Sequence, residues 1–470
     1  MAIAGPTKPH ARLKQKAPRT PKLGEQVARR IIAEIRSRGW PVGELIGTEA
    51  ELTVRFGVSR ATLLEAVRQL ERHGAAVMRR GGKGGLVVSN PESRSIARVL
   101  SSYIELSDIP VAEQFEAAWI LESRAAQWAA ESAHEDAIAK LRKLADEALG
   151  AESYLALSGA GLRLSNAMAE AAGNPALSLF IRAVVRARSD FFQKENRRDR
   201  PISRPLRDYA EGLGRLVEAI ASGDGPEAGR QLALQHERVD RFNVDRFSRL
   251  SAGGSPLVAA AKRRNQGDEL SRSAEVLAFR IRDEIIARDW PLGERLGEEP
   301  ELLERFEISR WVFRQAVRLL ELHGIVEMRR GQRGGMVIGR PDPSYAVETT
   351  VSYFAFSGLP RATARAVWTA LLAASVQLAA SRLPAAQDAA AAREAFAGPP
   401  DVFYNSVFRA TENRVLDLYG RILTAYVLEN EADWAGDDEA GRREILEALL
   451  AADAALARRR MQRHLAKAYG

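Results

Sequence analysis

Residues 48–88 read TEAELTVRFGVSRATLLEAVRQLERHGAAVMRRGGKGGLVV, and residues 298–338 read EEPELLERFEISRWVFRQAVRLLELHGIVEMRRGQRGGMVI. In the first stretch, Thr48-Glu49-Ala50-Glu51 has the capping-box form, so a helix starts at Thr48. It ends near Phe56-Gly57, and Ser59 can cap a further helix that runs to His73-Gly74. On that helix Leu63, Ala66, Val67 and Leu70 fall at i, i+3, i+4 and i+7, which predicts a buried stripe. Arg60, Ala61, Leu64 and Arg68 lie on the opposite face. Val77-Met78-Arg79-Arg80 and Leu86-Val87-Val88 then flank Gly81-Gly82-Lys83-Gly84-Gly85, which reads as a basic β-hairpin. Upstream, Val27, Ile31, Ile32 and Ile35 mark a helix over 24–38, broken by Trp40-Pro41-Val42-Gly43.

Helix, helix-turn-helix and basic hairpin in that order predict a winged helix. Its third helix fits the major groove, with the N-terminal residues nearest the base edges. The wing's cations can meet phosphates, and its glycines let the backbone come close. The candidate DNA-contacting residues are therefore Ser59, Arg60, Ala61, Thr62, Leu64, Arg68, Arg79, Arg80 and Lys83. In the second copy they are Ser309, Arg310, Trp311, Arg314, Arg318, Arg329, Arg330 and Arg333.

The two stretches differ by a constant offset of 250 without a gap from Ala28 to Val88, with roughly half the positions identical. Beyond the hairpins the repeat continues more weakly. Ser102-Tyr103 pairs with Ser352-Tyr353, Pro110 with Pro360, Trp119 with Trp368, Asn174 with Asn413 and His236 with His464. The expected organisation has a disordered basic arm (1–22), a winged helix (23–90) and an all-helical domain (95–250). A Gly/Ser/Pro-containing linker (251–265), a second winged helix (266–340) and a second all-helical domain (345–470) follow. The fold class is mainly α: two winged helix-turn-helix modules with small β wings alternate with two helical bundles.

The 470 residues contain no cysteine, which removes disulfides, thiolate catalysis and Cys-based metal sites and fits a reducing cytosol. No apolar run is long enough for a membrane span, and the N-terminus lacks a signal-peptide h-region. A net charge of +8 and a pI of 9.7 favour a polyanionic partner. His236-Glu237-Arg238-Val239-Asp240 lacks the second His of a zinc protease, and the glycine-rich wing has no Gly-Lys-Ser/Thr of a P-loop. An enzyme is not expected.

Glu49-x-Glu51-Leu52, Phe56-Gly57-Val58-Ser59-Arg60 and Leu70-Glu71-x-His73-Gly74 resemble the GntR superfamily of bacterial regulators, in particular its FadR-like subfamily. The resemblance implies that Arg60, Arg310 and Arg314 match DNA-contacting arginines of the family. Ala50, Leu64 and Pro300 replace the others. It also implies all-helical effector-binding and dimerisation domains, with Ala171-Ala172-Gly173-Asn174-Pro175 and Ala410-Thr411-Glu412-Asn413 among the recurring motifs. Many members bind a divalent metal there through one Asp and three His. Gly161, Ser165 and Leu213 stand at three of these positions in the first unit, and Pro400, Tyr404 and Arg442 in the second. Only His236 and His464 remain, so no metal or other cofactor is expected. Arg182 and Arg421, each eight residues after the motif Asn, are candidates with His236 and His464 for holding an effector.

The expected function is a cytoplasmic, nucleoid-associated DNA-binding regulator, a repressor by preference. Its two units form an intramolecular pseudo-dimer on a double-stranded operator, released by a small-molecule effector, with higher oligomers left open. The alternative is an architectural DNA-binding protein whose helical domains sense nothing.

Overall fold

The computed structural model describes residues 23–39, 41–72, 74–79, 81, 84–89, 93–195, 201–250, 269–329, 331, 334–383, 389–429 and 436–469. The basic arm, the linker at 251–265, and Arg80, Lys83, Arg330 and Arg333 lie outside the described residues. The chain divides into two compact units, residues 1–91 and 92–470.

The first unit holds α1 (Leu23–Ser37), β1 (Leu45–Gly47), α2 (Glu49–Phe56), α3 (Arg60–Arg72), β2 (Ala76–Arg79) and β3 (Gly85–Val88). The capping box forms as expected: Thr48 accepts from the Glu51 amide and the Glu51 carboxylate accepts from the Thr48 amide. Gly57 closes α2 in the left-handed conformation at φ 64°, where a side chain would be strained. Leu63, Ala66, Val67 and Leu70 are buried, so the helical stripe packs inward.

The wing differs from the expected two-stranded hairpin. β1 pairs antiparallel with β3, which also pairs with β2, giving a three-stranded sheet in the order β1-β3-β2. A three-residue strand is too short to show a period of two, which is why it escaped pattern reading. Gly85 makes the extra pairing possible. A Cβ there would lie 2.6 Å from the Gly47 carbonyl oxygen, so only glycine lets the strands meet.

Among the described residues, the second unit starts with seven helices: α4 (Ser93–Leu106), α5 (Val111–Ser132), α6 (Glu135–Leu149), α7 (Tyr154–Ala171), α8 (Pro175–Glu195), α9 (Arg204–Ala221) and α10 (Gly225–Leu250). A second winged module follows: α11 (Glu269–Ala287), β4 (Arg295–Gly297), α12 (Glu299–Phe306), α13 (Arg310–Leu322), β5 (Val326–Arg329) and β6 (Gly335–Ile338). Its sheet order is β4-β6-β5, and Gly335 approaches Gly297 as Gly85 approaches Gly47. The unit closes with α14 (Ser344–Phe356), α15 (Arg361–Arg382), α16 (Ala389–Phe396), α17 (Pro400–Ala410), α18 (Arg414–Val427), α19 (Glu439–Leu450) and α20 (Ala454–Tyr469).

The two helical sets share one hydrophobic core. Phe180 of α8 stacks on Tyr419 of α18 with ring centroids 4.3 Å apart. Two hydrogen bonds cross between the sets in reciprocal fashion. Asn174 Nδ2 donates to the Thr363 carbonyl at 3.0 Å, and Asn413 Nδ2 donates to the Glu113 carbonyl at 2.9 Å. Asn174 and Asn413 occupy the same place in their sets, as do Glu113 and Thr363. Each residue i therefore meets j where j meets i. Each Asn also caps its own helix through Oδ1, so one side chain serves both the fold and the contact.

The pairing of Trp119 with Trp368 does not survive. α5 and α15 are both 22 residues long and both follow a proline, so the offset of 250 persists and Ala118 corresponds to Trp368. Ala118 and Trp368 are buried, whereas Trp119 is 41% exposed. Tryptophan is rare, and two of them one residue out of register mimic a conserved position.

The second winged module packs against α4 through Leu106, and Arg282 donates to the Glu105 carbonyl at 2.6 Å. His323, at the end of α13, is buried between the rings of Tyr103 and Tyr345, both 5.9 Å away. Burial disfavours the imidazolium and lowers the His323 pKa to about 4. The folded value lies below the ordinary one, so the neutral ring's contribution is complete above about pH 6.5. It is lost as pH falls toward 4, up to about 3 kcal/mol in all. Thermal melts at pH 7.5 and pH 5 should show a larger acid destabilisation in the native chain than in His323→Leu. Equal acid sensitivity would dismiss the assignment.

Candidate nucleic-acid interface and ligand cavity

The N-terminal turn of each third helix is prepared by the helix before it. Ser59 Oγ accepts from the Thr62 amide at 3.2 Å and lies 2.9 Å from Thr62 Oγ1. Ser309 Oγ accepts from the Val312 amide at 3.3 Å. These caps fix where each helix begins, and with it the position of the arginine that follows. Arg60 pairs with Glu49, the first residue of α2. Glu299, its counterpart, lies 3.3 Å from Arg310 Nε and 3.7 Å from Arg314 Nε. All three arginine side chains are at least 66% exposed. Such exposed pairs are worth about 0–1 kcal/mol and yield readily to a phosphate or guanine.

Ala61, Arg68 and Arg318 are exposed and Leu64 is half-buried. Trp311 stands 51% exposed, so it is a projection of α13 and is not packed away under its own wing. Arg79 is exposed on β2, and Arg329 on β5 pairs with Glu327 at 3.1 Å. The geometry puts arginine, serine and an apolar side chain on one convex helix face beside a glycine-rich wing, twice. Such a face can read base edges and hold phosphates, and among the described residues nothing on it is arranged for covalent chemistry.

The first helical set encloses a cavity of about 90 Å³. Its wall is mostly apolar, with Phe115, Leu157, Met168 and Leu216 among its residues. Gly161, Ser165, Leu213 and His236, the positions at which the resemblance implies metal ligands, all line it. The structure thus brings those four positions together but supplies one imidazole for a cation. The polar core of the cavity is a buried ion pair: Arg188 Nη2 donates to Glu122 Oε1 at 2.6 Å, with both side chains 5% exposed. Arg188 also lies over the Phe115 ring at 5.2 Å, and its Nε has no hydrogen-bond partner. His236 Nε2 is 3.9 Å from Glu122 Oε2. Burial and the Glu122 charge push the Tyr209 phenol upward, so it stays protonated as a donor.

Arg182 and Arg421 do not line this cavity. Arg182 donates to Ser93 Oγ at 3.1 Å and approaches Glu170, while Arg421 forms an i,i+4 pair with Asp417 at 2.7 Å. Both are half-buried and committed to neighbouring side chains. The buried arginine of the cavity wall is Arg188, whose counterpart 239 positions on is Val427, so it is not among the residues that the two units share.

In the second set the corresponding positions carry a buried polar network. Tyr404 Oη donates to Asp437 Oδ2 at 2.6 Å and lies 2.9 Å from His464 Nε2. Arg442 pairs with Asp437 at 2.8 Å. Burial would raise the Asp437 pKa, but hydrogen bonds from His464 and Tyr404 together with Arg442 hold it below the usual range. In each set a guanidinium already pairs with a carboxylate beside the remaining imidazole, Arg188 with Glu122 and Arg442 with Asp437, so neither set fits the metal that the resemblance implies. Among the described residues no group of three or more His, Asp or Glu could hold a metal ion. No described helix is long and apolar enough to cross a membrane.

Comparison with known proteins gives concordant matches. The description "Bacterial regulatory proteins, gntR family" matches residues 23–87 and again 273–337. The FCD domain matches residues 113–238. A Mycobacterium gastri protein described as the HTH-type transcriptional regulator RmpR is 33% identical over 215 residues, 43% of this chain and 73% of its own. An Escherichia coli (strain K12) protein described as an L-lactate dehydrogenase operon regulatory protein is 26% identical over 231 residues, 48% of this chain and 89% of its own. A solved structure, Streptococcus agalactiae GntR, matches at 22% identity with a TM-score of 0.33, covering 47% of this chain and 99% of its own.

Proposed function

This chain belongs to the gntR family of bacterial regulatory proteins, and from that premise we propose that it is a repressor in which one chain supplies both halves of a DNA-reading pair. It is a transcription regulator with an FCD domain and two DNA-binding modules, and it is not an enzyme. The helical sets pair within the chain, as two subunits pair in a homodimer, and the winged modules read the two halves of one operator in the cytoplasm. The observation that carries this reading is the reciprocal contact of Asn174 with Thr363 and of Asn413 with Glu113. Reciprocity of this kind is the signature of an isologous interface, and here both sides come from one polypeptide. Covalent linkage raises the effective concentration for such pairing to about the millimolar range.

The cavity of the first helical set holds the effector. Arg188 has an unused buried N–H, and Arg238, also on the wall, adds a second positive charge against the single Glu122. Apolar walls around a net positive pole suit a small organic anion with an apolar body.

The test starts with genome-wide footprinting to find the operator. Light scattering of the complex on the minimal site should then give one 51.6 kDa chain per DNA duplex. A requirement for two chains per minimal site would refute the intramolecular pair.

A further inference from the structure

The two helical sets are not equivalent as receptors. Counterparts in the repeat change together on the cavity wall, at Gly161, Ser165, Glu122 and Arg188, and at Ala118 in the core of α5. Ala118, Gly161 and Ser165 in the first set become Trp368, Pro400 and Tyr404 in the second, so small residues give way to large or rigid ones. Glu122 and Arg188 become Leu372 and Val427, so the charged pair that would greet a polar ligand becomes two buried aliphatic residues.

Trp368 and Tyr404 are fully buried and meet edge-to-face with ring centroids 4.7 Å apart. Tyr469 joins them, 5.2 Å from Trp368. The polar ends of these rings are satisfied inside the protein. Trp368 Nε1 donates to Thr424 Oγ1 at 3.0 Å, and the Tyr404 hydroxyl sits between Asp437 and His464. Asp437 in turn takes Arg442 and lies 3.4 Å from the Tyr469 hydroxyl. An entering molecule would have to expel a phenol from a well-packed aromatic cluster and break the hydrogen bonds that hold it.

We infer that the second helical set carries its own occupant, the Tyr404 side chain, so that the chain has a single effector site, metal-free and confined to the first set. This rests on reading the first cavity as the effector site. Two subunits of a homodimer must carry identical pockets, whereas a fused pair can keep one responsive half and freeze the other. Effector titrations of the whole chain accordingly follow a simple single-site curve.

The experiment is calorimetric titration of the full chain with a series of monocarboxylates from acetate to benzoate, with EDTA present. We expect saturation at one equivalent per chain with no effect of EDTA. Gly161→Leu, which adds a side chain where a Cβ would already lie 3.2 Å from Tyr209 Oη, should reduce binding at least tenfold. Ser165→Leu tests the same wall from a second position, with circular dichroism confirming the fold of each. Tyr404→Phe, which keeps the ring, should still bind one equivalent. A second equivalent in the native chain, or binding that survives both filling variants, overturns the single-site inference and leaves the chain an effector-binding regulator. Absence of saturable binding by every acid overturns the reading of the first cavity, and the single-site inference falls with it.

Discussion

Replacing Arg60, Arg310 and Arg314 together by alanine is expected to lower affinity for the operator on the order of a thousandfold while the protein stays folded. Each arginine sits at or one turn from the start of a third helix, where base edges come within reach. A base-contacting arginine is worth about 1–3 kcal/mol at its position. Arg60 is in a different module from the other two, so its loss should add to theirs; Arg310 and Arg314 share Glu299 and should couple. Folding should suffer little, because all three guanidiniums are exposed, although Glu49 and Glu299 are half-buried. The check is fluorescence anisotropy on the footprinted operator and on a scrambled duplex of equal length, with circular dichroism on the variant. Unchanged operator binding by a folded triple variant would show that the groove assignment is wrong.

The helices of the winged modules were legible because each carries its own signals. Thr48 and Glu51 announce a start, Gly57 a stop, and the stripe from Leu63 to Leu70 a buried face, all from local chemistry that tertiary structure did not override. β1 was not legible, since its pairing with β3 depends on the approach of Gly85 to Gly47 across a long sequence separation. The cavity of the first helical set was half legible. Gly161, Ser165, Leu213 and His236 could be brought together through the family resemblance, and they do meet. Arg188 and Glu122 could not, because a duplicated sequence draws the eye to what the copies share. Arg182 and Arg421 are shared and pair with neighbouring side chains, whereas Arg188 and Glu122 are found in one copy and form the polar centre of the cavity. The polar centre of the cavity therefore lies at positions where the copies differ, not at those they share.

The same argument applied to the DNA-reading faces predicts an operator with unequal halves. A homodimer's two-fold symmetry imposes matching half-sites, and the proposed intramolecular pair would be free of that constraint. The first module offers Arg60, Ala61, Leu64 and Arg68, and the second offers Arg310, Trp311, Arg314 and Arg318. Leu64, half-buried, can make only apolar contact, for instance with a thymine methyl, whereas Arg314 can pair bidentately with guanine. Trp311 projects 51% exposed where the first module has a methyl group, so the second helix must seat itself differently or press the indole against the DNA backbone. Arg68 and Arg318 match, and both are exposed at the far end of their helices, where phosphate is the nearer partner. Base discrimination should therefore be stronger under the second module, by about 1–3 kcal/mol at the position facing Arg314. A systematic base-substitution scan of the operator measures this directly, and Arg314→Leu should bring the two halves toward parity. Equal penalties at mirror-related positions in the native protein would mean that the two helices read DNA alike despite their different faces.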